Sequence, residues 1–167
     1  MVKAFSAAVF FLSLASRPAL AQLDAGIPVG SPAPAVTIND LEGKPVQLAT
    51  LIGHKAVLLE FWASWCSLCK ALLPQLDAVH KTFGDRVALL GVNVTVNDSK
   101  PRIRRYLEQH KPPFQVLYDD KGAAVRAYDV PATSFIVVVD PSGKVSYTGS
   151  GESQDLVGAV RKALGHP

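Results

Sequence analysis

Cysteine is scarce in this chain. Of 167 residues only two are cysteines, Cys66 and Cys69. That excludes a disulfide-stapled scaffold and a structural zinc site built from two Cys pairs. Methionine is scarcer still, being present only as Met1. The four histidines, His54, His80, His110 and His166, are scattered, and none stands at metal-ligand spacing from the cysteines. Charge of one sign is also missing in excess. The formal charge is +3, and about +1 once Lys3 and Arg17 are set aside with the N-terminal segment, too little to point to nucleic acid as a partner. No apolar run reaches the roughly 20 residues of a membrane-spanning helix. What remains is a chain with nearly half its residues apolar, long enough for one domain with a sizeable core.

Met1–Ala21 reads as an export signal. Lys3 supplies the positive start, Ala4 to Ala15 the apolar stretch, and Ala19-Leu20-Ala21 the small-x-small cleavage pattern. Cleavage after Ala21 would leave Gln22 at the mature N-terminus, with no stable insertion in the membrane. An uncleaved N-terminal anchor is the competing reading. Export places the two cysteines in an oxidising compartment, periplasmic or otherwise extracytoplasmic. Residues 22–29, rich in Gly, Pro and Ala, read as a linker, and residues 30–167 as one domain.

The domain is organised around Val57–Pro74, V-L-L-E-F-W-A-S-W-C-S-L-C-K-A-L-L-P. Its first half is the continuous apolar run of a strand buried on both faces. Its second half restarts at helical spacing, and both cysteines lie at that restart. A strand feeding a helix that opens with Cys-x-x-Cys is the sequence form of a redox-active pair. At a helix start the unpaired N–H groups and the positive dipole end favour thiolate, the species that attacks a disulfide. Cys69, nearly one turn on, shares the face of Cys66 and can bond to it. Cys66 is the expected nucleophile and Cys69 the shielded resolving thiol. A purely structural bridge closing so short a loop would add little stability.

Around this segment the chain alternates strand and helix. A small hairpin is expected over residues 35–48, then strands over 56–61 and 87–96. A helix is expected over 100–110 with Ser99 as its N-cap, followed by a short extended segment over 114–118 and a brief helix over 123–128. A hairpin over 135–148 and an amphipathic helix over 153–164 close the chain. The 100–110 helix carries Arg102, Arg104 and Arg105, with Lys111 just beyond. These read either as a solvated basic face or as a docking patch for an acidic partner.

The segment F-W-A-S-W-C-S-L-C-K resembles the active-site segment of the thioredoxin superfamily, and the region from about Gly30 onward resembles its exported TlpA/ResA branch. The resemblance implies an α/β thioredoxin-like fold. A central mixed β-sheet flanked by helices would carry an N-terminal β-hairpin extension and the insertion of that branch. It also implies roles. Glu60, six residues before Cys66, stands where these proteins carry a buried acid that moves the proton of the resolving cysteine. Pro74 matches the proline that kinks the active-site helix, and Trp65 the aromatic residue packed beside the nucleophile. The implied activity is thiol–disulfide exchange, most simply the reduction of disulfides in exported proteins, as in cytochrome c maturation or similar thiol maintenance. Its partners would be protein thiol and disulfide substrates and an upstream membrane electron donor. Neither cofactor nor metal is expected, and the chain is expected to act as a monomer.

Three departures stand out. Ser67-Leu68 lies between the cysteines, where the family often has proline before the second. Leu72 replaces an acid found in many relatives of this branch. The third is the loop that faces the cysteines, where the family has a cis-proline before the closing hairpin. Here Pro131 lies only three residues after Tyr128, and Ser134 occupies the position that spacing assigns to the proline. Pro131 and Ser134, together with Trp65, are the candidate substrate-contacting residues. Two other functions remain as alternatives. A copper metallochaperone would use both thiolates and a late-loop histidine, without the Met or His enrichment that would favour it. A thiol peroxidase would want Thr and Pro framing its cysteine, where this chain has Trp65.

Overall fold

The structure is a computed structural model that describes residues 26–165. The expected signal segment Met1–Ala21, residues 22–25 of the linker and His166 lie outside the described residues.

Seven strands form one sheet: β1 (Thr37–Asp40), β2 (Pro45–Gln47), β3 (Ala56–Trp62), β4 (Val87–Asn93), β5 (Gln115–Tyr118), β6 (Phe135–Val139) and β7 (Val145–Ser150). Their spatial order is β2-β1-β5-β4-β3-β6-β7. The central β3, β4 and β5 run parallel, while β6 pairs antiparallel with β3 and β1 antiparallel with β5. Among the described residues four α-helices accompany the sheet, α1 (Ser67–Phe83), α2 (Lys100–His110), α3 (Ala123–Ala127) and α4 (Leu156–Ala163), with two short 3-10 turns at Leu48–Thr50 and Gly84–Arg86. This is the mixed, doubly covered sheet that the sequence pattern implied, with β1–β2 as its N-terminal hairpin; the segment expected as the insertion, from Phe114 to Tyr128, forms β5 and α3.

The apolar run of β3 is explained by its position. All seven of its residues are buried, because helices or loops cover both faces. Alternation sends Val57, Leu59 and Phe61 to one face, where Leu90, Val92, Ala124 and Tyr128 join them. Leu58 and Trp62 point to the other. Leu58 meets Leu72, Leu76 and Val79 of α1 and Leu156 and Val160 of α4. Trp62 meets Cys69 and, from α2, Ile103 and Tyr106. Glu60 falls between Leu58 and Trp62 on this second face. Its neighbour across the β3–β4 pair is Gly91, and any side chain there would collide with the Phe114 ring. The glycine thus leaves room for Phe114 to close the floor next to Glu60.

The boundaries depart from expectation in three places. β4 ends at Asn93, short of Val96, because the Asn93 Oδ1 accepts the Thr95 N–H at 2.9 Å and Thr95 turns to φ 63°. Ser99 holds the N-cap position of α2 but makes no capping side-chain bond; its N–H donates instead to Asp98 Oδ1. α4 begins at Leu156, where Asp155 Oδ1 caps the Gly158 N–H at 2.8 Å. At the other end of the chain, Gly26 is buried against the Phe135 ring with φ 90°, and the Ile27 N–H donates to Tyr128 O. The end of the linker stretch is therefore docked on the domain.

Candidate active site

Cys66 is the N-cap of α1, with extended backbone and its Sγ accepting the Cys69 N–H at 3.1 Å. Cys66 and Cys69 are joined in a disulfide, with Cα atoms 5.3 Å apart. Cys66 is 6% exposed and Cys69 2%. Both are buried in this disulfide form, and of the two only Cys66 lines the groove between α1 and α2. The loop before the helix is held rigidly. Asp98 accepts the Ser64 N–H at 2.7 Å and the Ser64 hydroxyl at 2.8 Å, and takes further bonds from Asn93 Nδ2 and the Ser99 N–H. Burial alone would raise the Asp98 pKa, but these donors outweigh it and hold the carboxyl below its usual range. Trp65 is half exposed, and its Nε1 donates to Val96 O at 2.8 Å, which pins the indole beside Cys66.

Glu60 lies within β3, 1% exposed, on the same face as Trp62, which clusters with Cys66 and Cys69. Burial pushes its carboxyl up to about 8. Glu60 Oε1 and Trp62 Nε1 are the buried side-chain polar atoms without a hydrogen-bond partner among the described residues. They are two residues apart on one strand, so both face α1. Burial, and then the Glu60 charge, push the Tyr106 phenol up to about 12, which places α2 within electrostatic reach of the acid. Leu72, the departure from an acid, is fully buried against Leu58.

The facing loop contains both candidates. Pro131 is exposed and, with Trp65, Val96 and Val130, borders an apolar groove of about 330 Å³. Ser134 is fully buried at the start of β6. Its N–H donates to Phe61 O at 2.8 Å, its carbonyl accepts the Gly151 N–H, and its φ is 63°. Every peptide bond among the described residues is trans. Proline at 134 would need φ near −65° and would lose the bond to Phe61. Ser134→Pro is therefore expected to destabilise the fold by about 3 kcal/mol or more, read as a shift in the urea midpoint without loss of Cys66 reactivity in the molecules that remain folded.

Two contributors escaped the sequence reading. Asp98 lies between the expected strand over 87–96 and the expected helix over 100–110, and nothing in its neighbourhood ties it to Ser64, 34 positions away. Tyr106 lies within the helix expected over 100–110, and the sequence pattern assigns it no role. The basic face of α2 was visible, but not which of its cations turn toward the cysteines.

The profile of the AhpC/TSA family matches residues 29–148. The thiol-disulfide oxidoreductase ResA of Bacillus subtilis is 33% identical over 117 residues, covering 70% of this chain and 64% of the relative, so the chain spans just under two thirds of that protein. The thioredoxin-like protein YneN of the same organism is 30% identical, with 73% of this chain and 71% of the relative covered. Among solved structures, the thioredoxin domain of a thiol-disulfide oxidoreductase from Bacteroides vulgatus superposes with a TM-score of 0.70 at 30% identity, over 81% of this chain and 97% of that one. On the family match and on these relatives, the chain belongs to the AhpC/TSA family, on its thioredoxin-like, ResA-related side.

Proposed function

We propose that this chain is an extracytoplasmic thiol–disulfide oxidoreductase that reduces disulfides in exported proteins and is itself re-reduced by a membrane-borne electron donor. The observation that carries the reading is the Cys66–Cys69 disulfide at the start of α1, directly after the strand that buries Glu60. In the dithiol form, the Cys66 thiolate attacks a substrate disulfide. The substrate S–S bond breaks, a Cys66–substrate disulfide forms, and one substrate thiolate leaves and takes up a proton. Cys69 then gives its proton to the Glu60 carboxylate and attacks Cys66 Sγ. The second substrate sulfur leaves as a thiolate and takes up a proton from solvent, Glu60 keeps the Cys69 proton until re-reduction returns it, and the pair is left oxidised, as in this structure. Two electrons have passed to the substrate. The upstream donor returns them.

Three measurements test this. Alkylation of the reduced protein at mildly acidic pH should label Cys66 ahead of Cys69, since cysteines at such helix starts have pKa values of roughly 3.5–7.5. Equal labelling of the two would remove the assignment of roles. The reduction potential of the pair fixes the direction: a value near the thioredoxin end, about −270 mV, supports a reductant, and one near −120 mV an oxidant. For the location, N-terminal sequencing of the exported form should begin at Gln22, and recovery of an intact Met1 in membranes would replace the cleaved signal by an anchor.

A further inference from the structure

We infer that the groove between α1 and α2 is a recognition site for acidic residues flanking the disulfide cysteine of a polypeptide substrate, an inference that rests on Cys66 being the attacking thiol. The groove has a volume of about 390 Å³ and opens directly on Cys66. Lys70 of α1 and Arg102 and Arg105 of α2 line it, together with Ser67, Gln109 and His110, and no carboxylate does. The helix sorts its own cations. Arg104, on the opposite side of α2, pairs with Glu42 at 3.3 Å, the one ion pair among the described residues. Arg102 donates through Nη1 to Asn97 O at 2.8 Å, which steadies the guanidinium and leaves its other N–H groups free to bind. Lys70 and Arg105 make no side-chain hydrogen bond or ion pair among the described residues. Asp98, which clamps the cysteine loop from the β4–α2 connection, is already engaged by four donors and forms no ion pair with these cations. Glu108, exposed on the flank of α2, forms no ion pair and does not line the groove.

Trp65 gives this groove its meaning for specificity. It lines both the basic groove and the apolar groove beside Pro131, so it divides the surface around Cys66 into two halves of opposite character. A polypeptide joined to Cys66 must cross both. Its chain on one side of the cysteine meets Val96, Val130 and Pro131; on the other it meets the cations. Since the chain as a whole is nearly neutral, the attraction is local to this site and not a general affinity for anions.

The test uses the full reduced chain and synthetic peptides with a single cysteine held as a mixed disulfide with 2-mercaptoethanol. The peptides carry Glu-Glu before the cysteine, Glu-Glu after it, or Gln-Gln at both places. Exchange is followed by tryptophan fluorescence in stopped flow. One of the two acidic peptides is expected to react about tenfold faster than the neutral one at low ionic strength, and the preference should collapse at high salt as screening shortens. It should also collapse in the R102Q/R105Q double variant and survive in R161Q/K162Q, which removes the same charge from α4. Equal rates for all peptides, or a preference that persists in R102Q/R105Q, would overturn the groove assignment alone. A faster reaction of oxidised glutathione than of either acidic peptide would overturn the polypeptide as occupant. No exchange with any peptide would overturn the oxidoreductase reading and the groove together.

Discussion

Cys69→Ala, reduced and mixed with a disulfide-containing protein, is expected to stop as a covalent adduct through Cys66, while Cys66→Ala gives none. The asymmetry follows from the positions of the two sulfurs. Cys66 caps α1 and opens on the groove; Cys69 lies behind it, packed with Trp62, Ile103 and Tyr106. Without Cys69 the first exchange proceeds, but nothing within reach resolves the mixed disulfide, because the chain has no third cysteine. Turnover with either variant should fall to the rate of uncatalysed exchange. Non-reducing electrophoresis and mass spectrometry of the adduct check this. Adducts that form in Cys66→Ala, or that carry substrate on Cys69 in the native chain, would reverse the roles assigned to the two cysteines.

Glu60→Gln is expected to raise stability and lower the exchange rate, each with its own pH dependence. Burial raises the folded-state pKa from 4.5 to about 8. Between those values the folded protein holds a proton that the unfolded chain has released, so stability falls as pH rises. The favourable contribution is complete below about pH 4.5 and lost as pH passes about 8. A shift of this size corresponds to roughly 3–5 kcal/mol across the window. The glutamine variant cannot titrate there. It should therefore match the parent within about 1 kcal/mol near pH 5 and exceed it increasingly toward pH 8. Urea denaturation at several pH values measures both. In kinetics, the loss of Glu60, whose ionised fraction accepts the Cys69 proton and grows toward pH 8, should slow the resolving step by up to about 10²-fold from neutral pH upward, where Cys69 is still mostly thiol. Cys66 alkylation should change little. A pH–rate profile that overlays the parent's, with unchanged stability, would remove Glu60 from the mechanism.

Much of this molecule was legible in the order of its residues. The run Val57–Trp62 announced a strand covered on both faces, and Cys66 and Cys69 at the restart of helical spacing announced the redox pair. An acid within that run carried its own message. A carboxyl among Leu59, Phe61 and Trp62 is costly unless it is protonated or partnered, so burial and a raised pKa could be expected before any coordinates. Element ends were less legible where side chains compete with the backbone. Asn93 ended β4 through its own amide, and Asp155 rather than Ser153 started α4.

What the sequence determined by itself is the chemistry: local spacing fixes which thiol starts a helix, and alternation along β3 fixes which face Glu60 shares with Trp62. What only the tertiary structure decided is the company those residues keep. Asp98 clamps the cysteine loop from 34 positions away, Ser134 bonds to Phe61 O in the place where related loops carry proline, and Arg102 and Arg105 turn toward Cys66 while Arg104 turns toward Glu42. Each of these depends on how α2 and the β6 loop are laid against β3. The physical reason is that a helix's period names its faces but not its neighbours. Which face of α2 meets the cysteines is set by the burial of Ile103 and Tyr106 against Trp62, a contact between segments some 40 residues apart in the chain.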